Sequence, residues 1–191
     1  MDIRNVLFSN RSFTPIPIAI TIIYFSKPMF PYFIYGIVLL LLGELIRINA
    51  VRYAGGVTRT MNVGAPSLCT SGPYSFTRNP LYLGNMVIYV AICTISGGKY
   101  MVEMCLIVFL FFTFQYIMII SLEEETLKKL FKEKYDSYCE NVPRLFPRVS
   151  PWNGPNEHSP SSFSKTIKTE KRTLQNIFLI LLLITLKTFY Q

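Results

Sequence analysis

Residues 100–121, YMVEMCLIVFLFFTFQYIMIIS, decide the fold class of this chain. A bilayer core about 30 Å thick takes roughly 20 helical residues to cross. This stretch supplies them with a single charged side chain, Glu103, near its start. No polar face interrupts it, so it does not read as a helix on the surface of a water-soluble core. Four more apolar blocks flank it, at residues 16–25, 33–46, 81–96 and 177–190. The second and third blocks of the chain reach spanning length with their flanks; the first and last borrow Tyr, Pro and Lys at their ends. With 191 residues, one domain's worth, and 51% of them hydrophobic, the expected architecture is an all-α integral membrane helical bundle. It has about five transmembrane helices.

Threading the five blocks through a bilayer sorts the 19 Lys and Arg residues sharply. Sixteen fall on one side, and only Lys27, Lys99 and Lys187 on the other. The positive-inside rule then predicts a cytoplasmic N-terminus, cytoplasmic long connections and an outward C-terminus. The net charge of +8 is therefore a topology signal. Without an aromatic-interleaved basic patch, nucleic acid is not an expected partner. The first block opens on Pro15 and Pro17 and lacks a small-x-small pattern before Lys27, so it reads as a retained helix rather than a secretory signal. Cys69, Cys93, Cys105 and Cys139 are scattered without a C-x-x-C pair, and neither a disulfide framework nor a metal site is expected.

The connections KPMFP (27–31) and GGK (97–99) are short enough for tight hairpins. The helix through 44–55 is expected to leave the bilayer and end at Gly55 and Gly56. Residues 57–73 form a loop long enough to be functional. Leu127, Leu130, Phe131, Tyr135 and Tyr138 stand at helical spacing and predict an amphipathic helix over 122–140 on the cytoplasmic face. The expected organisation is a membrane core at 1–149, a flexible basic linker at 150–175 and a last transmembrane helix at 176–191. His158, the single histidine, falls in the Pro- and Ser-rich stretch SPWNGPNEHSPSSFS (150–164). No packed neighbours are expected to hold its imidazole, so no catalytic use follows.

Two polar clusters sit at the mouths of the hydrophobic blocks. In SGPYSFTRNPLYLG (71–84), Ser71-Gly72-Pro73 is a turn, and Asn79 is pushed out of helical geometry by Pro80. Pro80 suits the first turn of the following helix, whose free N–H groups favour an anion. Arg78 adds a bidentate donor for a carboxylate, and Tyr74 and Tyr82 add aromatic faces with polar tips. In Glu123-Glu124-Glu125, an i,i+4 pair with Lys129 accounts for Glu125. Glu123 and Glu124 face the apolar stripe instead, which a bound cation would explain.

The pattern SGPY-x3-RNPLYLG, the acidic cluster one helix later, and Tyr135 and Tyr138 followed by VPR-x2-P together resemble the isoprenylcysteine carboxyl methyltransferase family. Its relatives include the phospholipid N-methyltransferases. The resemblance runs from about residue 55 to 148. It implies methyl transfer from S-adenosylmethionine inside a membrane bundle, with cofactor contacts on Ser67, Leu68, Cys69, Tyr74, Asn79, Pro80, Leu81, Tyr82 and Glu123. Asn79 stands where the family usually has histidine, and Ile119 lies where the eukaryotic prenylcysteine enzymes carry an arginine. Arg144 is the candidate for orienting an acidic group of the acceptor; a snorkelling interface anchor is its other reading. A carboxylate acceptor, with a pKa of about 3.5, or a thiol, at about 8.5, needs less help from a base than an ammonium does. The expected partners are the bilayer and a lipid-like or small acceptor entering between helices. A sterol-type reductase using NADPH carries a similar Gly-x-Tyr and Arg-His-Pro element, and a non-catalytic membrane scaffold is the third reading.

Overall fold

The computed structural model of the protein describes residues 2–55, 64–154 and 158–190, and among these the chain forms helices and no strand. Two short helices open it, α1 (Ile3–Asn10) and α2 (Pro15–Phe25), followed by α3 (Tyr32–Ala54). A 3-10 turn at Gly72–Ser75 leads into α4 (Pro80–Ser96), then α5 (Met101–Phe131), α6 (Glu133–Asn141) and α7 (Phe163–Phe189). Helices α3, α5 and α7 are long and apolar enough to cross a membrane. α1 and α2, bent by 58° at their break, reach spanning length only together, and α4 is a shorter apolar helix of 17 residues. All five expected blocks are thus helical, three of them long enough alone. Gly55 ends α3 at φ 70° as expected, while Gly56 and the first part of the loop expected at 57–73 lie outside the described residues.

The centre of the bundle is the α3–α4 pair, which packs more extensively than any other. Small residues set that approach. A Cβ placed on Gly36 would lie 2.6 Å from the Ile95 backbone nitrogen, and one on Gly43 would lie 2.8 Å from the Ile88 side chain. In lipid, close backbone contact of this kind supplies association that the hydrophobic effect does not. One consequence falls on Arg47, which shares the buried face of α3 with Gly36, Leu40, Gly43 and Ala50. The arginine is carried into the protein.

At one end of the bundle the two tight hairpins meet. Lys27 N–H donates to the Ser96 carbonyl at 2.8 Å, and Gly97, at φ 57°, lies where a Cβ would come within 2.6 Å of the Lys27 carbonyl. The Lys187 ammonium joins them by donating to the Ser26 carbonyl at 3.0 Å and to the Tyr24 carbonyl. The other end carries a second small core of Leu68, Tyr135, Tyr138 and Val142, with Leu127, Phe131 and Trp152 packed on it.

Two boundaries differ from those the sequence suggested. The amphipathic stretch 122–140 is not one helix: α5 continues to Phe131, and the chain breaks at Lys132, at φ 47°, before α6. The last helix begins at Phe163, so residues 163–175, assigned to a linker, are its first turns. Glu170, fully buried, and Thr166 face inward from those turns, and the Ser162 side chain accepts from Lys165 N–H as the N-cap.

Candidate active site

One cavity of about 1000 Å³ opens between these elements, at the upper end of ligand-pocket sizes. Its walls come from all seven of the α-helices described and the segment before α4. Ser67, Leu68, Cys69, Tyr74, Arg78, Asn79, Leu81, Tyr82, Glu123 and Glu124 all line it. Pro80 is buried beneath it as the first residue of α4 and is not a lining residue. The two polar clusters, 41 residues apart between Tyr82 and Glu123, therefore meet: the Tyr82 hydroxyl donates to Glu123 Oε1 at 2.9 Å. The Tyr82 ring also lies 4.7 Å from that of Tyr116, another cavity residue.

Local chain geometry explains how α4 delivers Tyr82. Gly72 takes φ 59° with its α-carbon against Tyr53, where a Cβ would come within 2.4 Å of the ring. Asn79, at φ −128° and ψ 53°, is non-helical ahead of Pro80, as its neighbour dictates. Its side chain does not cap α4; Nδ2 donates to the Arg144 carbonyl at 2.9 Å and ties the α4 start to the VPR segment. The Thr77 hydroxyl reaches the Leu145 carbonyl at 3.0 Å in the same seam.

Three expected ligand-binding side chains prove to be engaged with the protein itself. Arg78 Nε donates to Glu124 Oε1 at 3.0 Å, and Nη1 donates to the carbonyls of Val142 at 2.7 Å and Cys139 at 3.2 Å. This corrects the picture of Arg78 as a carboxylate clamp, because its fork satisfies the C-terminal carbonyls of α6 and one carboxylate. Glu124 is held on both oxygens, with Arg144 Nη2 2.6 Å from Oε2. Arg144 is half exposed, is not part of the cavity lining, and pairs with Glu124. Glu123 is the carboxylate left to face the cavity, supported by one tyrosine.

Several lining residues escaped the sequence reading. Arg47 borders the cavity from α3, with Nε 2.7 Å from Glu170 Oε2 and Nη2 3.2 Å from Thr173 Oγ1; Nη1 donates to Asn85 Oδ1. Its position on the glycine face of α3 was the available signal. Tyr135 and Tyr138, noted only as part of a motif, line the cavity from α6. The Tyr138 hydroxyl donates to the Tyr74 carbonyl at 2.6 Å. Burial pushes the Cys69 thiol up to about 11 and raises the Tyr74 and Tyr138 hydroxyls far above their usual range.

His158, set aside from sequence, also borders the cavity. The segment that carries it is stitched to residues 67–76 rather than free of them: Trp152 N–H donates to the Ser75 carbonyl at 3.0 Å, and its indole stacks 5.7 Å from Tyr138. Residues 155–157 of the segment lie outside the described residues.

With this geometry in place, comparison with known proteins decides the family. The phospholipid methyltransferase profile matches residues 31–134, 104 of the 191 residues. The chain belongs to the phospholipid methyltransferase family. The matched interval runs from the start of α3 through α5 and contains the Tyr82–Glu123 contact, while Tyr135, Tyr138 and His158 of the cavity wall lie beyond it. The chain is similar to the nickel-cobalt-cadmium resistance protein NccN of Alcaligenes xylosoxydans xylosoxydans, 35% identical over 83 residues, which cover 44% of this chain and 37% of that protein. It is also similar to the cobalt-zinc-cadmium resistance protein CzcN of Cupriavidus metallidurans, 32% identical over 88 residues, or 46% and 39% of the two chains. The matches thus span less than two fifths of either relative. No solved structure matches the chain. As a phospholipid methyltransferase family member with apolar helices of spanning length, it is a membrane protein.

Proposed function

We propose that the protein is an S-adenosylmethionine-dependent methyltransferase acting on an apolar or lipid-tailed acceptor at the cytoplasmic face of a membrane. The observation that carries this reading is the union of two chemically unlike compartments in one cavity. One end is polar and aromatic, built from Ser67, Tyr74, Tyr82, Glu123, Tyr135 and Tyr138. The other is aliphatic, with Ile20 and Ile23 on α2, Ile88 and Ile92 on α4, and Ile180 and Leu183 on α7.

The polar end suits the cofactor. When bound, S-adenosylmethionine supplies an electrophilic methyl group on a sulfonium centre. Glu123 offers a carboxylate to an ammonium or to ribose hydroxyls, and tyrosine faces attract a cation by about 0.5–2 kcal/mol each, depending on desolvation. Leu68, Leu127 and Tyr138 offer flat or apolar surface for an adenine. Arg78 and Glu124 in the cavity wall, with Arg144 outside it, tie the start of α4, α5 and the segment after α6 together, which supports the contact between Tyr82 and Glu123. The aliphatic end holds the acceptor's tail, excludes water, and aligns the reacting atom with the polar end. Orientation of this kind is worth about 7–11 kcal/mol in well-aligned systems.

Among the described residues, Glu123 and His158, titratable side chains of the cavity wall, belong on this reading to the cofactor end, so an acceptor already anionic or easily ionised, a carboxylate or a thiol, is favoured. The cytoplasmic placement rests on charge: the three minority lysines belong to the end where Lys27 meets Ser96 and Lys187 meets Ser26, opposite the polar compartment. The test is incubation of the detergent-solubilised full chain with methyl-labelled S-adenosylmethionine and a panel of prenylated peptide, phosphatidylethanolamine, fatty acid and small thiol. Label in one acceptor, lost in Glu123→Gln, is the expected result. Tight NADPH binding without S-adenosylmethionine binding would overturn the assignment in favour of a reductase.

A further inference from the structure

We propose that His158 is a positioning residue of the cofactor end, acting through Ser67. This deepens the methyltransferase reading and rests on it. The sequence places His158 in a stretch of Pro, Ser, Asn and Gly with no helical or strand signal, yet the chain on either side is pinned. Arg148 N–H donates to the Phe76 carbonyl at 2.9 Å, and Ser161 N–H donates to the Arg52 carbonyl at 2.7 Å. Between those anchors, His158 N–H donates to Ser71 Oγ at 2.9 Å, and its Nε2 lies 3.1 Å from Ser67 Oγ. Ser67 and His158 both line the cavity.

The pairing assigns the proton. His158 Nδ1 is shielded from solvent and has no hydrogen-bond partner among the described residues. An enclosed N–H without an acceptor is rarer and costlier than an unmatched lone pair. The neutral ring therefore carries its proton on Nε2 and donates it to Ser67 Oγ. Ser67 accepts that bond, so its own hydroxyl proton is left to donate. A serine hydroxyl otherwise rotates freely among its neighbours; here one lone pair is fixed, and the O–H is presented to whatever the cavity holds. The matching chemistry on a methyl donor is a hydrogen-bond acceptor, a carboxylate oxygen or a ring nitrogen. His158 thus acts without touching the reacting atoms.

Trp152, the protein's single tryptophan, reports on the same segment from its stack on Tyr138. The experiment titrates the full chain in detergent with S-adenosylmethionine, following heat and Trp152 emission, for the wild type, His158→Ala, His158→Gln, Ser67→Ala and the double variant. His158→Ala and Ser67→Ala are each expected to weaken binding about tenfold, the scale of one hydrogen bond. His158→Gln, whose amide nitrogen can make the same donation, retains most of the affinity. The double variant is no weaker than either single one, because both remove the same interaction. Unchanged Trp152 emission in the ligand-free variants shows the segment still seated. Affinity unaltered in His158→Ala, or losses that multiply in the double variant, would overturn the proposal while leaving the methyltransferase reading intact. A wild-type chain that binds no S-adenosylmethionine overturns both.

Discussion

The two ends of the cavity are held together by different physics. Around Tyr82 and Glu123, directional bonds tie neighbouring segments together: Arg78 and Arg144 on Glu124, Asn79 on the Arg144 carbonyl, Tyr138 on the Tyr74 carbonyl. Between α2, α4 and α7 the walls are aliphatic, and α7 leaves most of its length exposed to its surroundings. It is fastened near its two ends, by Glu170 on Arg47 and by Lys187 on the Ser26 carbonyl. On the proposed function, the end that would recognise a charged cofactor is the one tied by directional bonds, and the end that would admit a chain from the bilayer has walls without them. The contrast teaches that, on that reading, specificity for the donor and tolerance for the acceptor are separable properties, each open to its own mutation.

The sharpest break in that contrast comes at Arg47. The guanidinium is 11% exposed and Glu170 fully buried, so Arg47→Ala removes the cation that this enclosed carboxylate meets at 2.7 Å. Removing one member of such a pair costs about 3–5 kcal/mol. The expected outcome is a large fall in the detergent unfolding midpoint and, in the surviving protein, loss of protection of residues 163–175 in hydrogen exchange. Replacing both by methionine should restore part of the midpoint, since the buried carboxylate is removed together with this arginine. An unchanged midpoint in the single variant would mean that α7 is not held to α3 as described.

How far these features could be read from sequence depends on which interaction fixes each. The apolar blocks and the two polar clusters are local patterns, and lipid solvation and proline sterics translate them directly into helices and a break at Asn79. Arg47 was counted only as an interfacial cation, yet spacings of three and four residues from Gly36, Leu40 and Gly43 put it on the packing face of α3. Glu170 stands in KTIKTEKR, which reads as a solvated charge run; only its partner 123 residues away makes it a core residue. The break at Lys132 was hidden because the apolar positions keep helical spacing across it. Periodicity reports which side chains are buried, not whether the backbone between them is continuous. His158 was missed for the same reason as Glu170: its partners are 87 and 91 residues distant.

The polar end should respond next most strongly, and only in donor binding. Glu123→Gln removes the charge that would face a cation but keeps the Tyr82 contact geometry. A weakening of about 10- to 100-fold in S-adenosylmethionine affinity is expected, the range of a charge-assisted bond. The Michaelis constant for the acceptor should stay the same. Ile180→Trp inverts the pattern by filling the aliphatic compartment from α7. Acceptor kcat/KM should fall about tenfold, the effect of a small steric misfit in an apolar pocket, with donor affinity unchanged. If each variant altered both ligands equally, the two compartments would not be independent.

The smallest effect belongs to Arg144, and its size discriminates between two roles. Arg144 is 49% exposed, its bond to Glu124 competes with water, and Glu124 keeps Arg78 when Arg144 is removed. As a partner in a half-exposed ion pair, Arg144→Ala should cost less than about 1 kcal/mol in stability. Donor affinity should fall less than about threefold, within that energy. An arginine gripping the acceptor's anionic group would behave otherwise: the Michaelis constant for an anionic acceptor would rise by orders of magnitude while stability stayed flat. Measuring that constant against an uncharged analogue of the same tail length separates the two roles. A loss confined to the anionic acceptor would place Arg144 at the junction of the compartments, against its position outside the cavity lining.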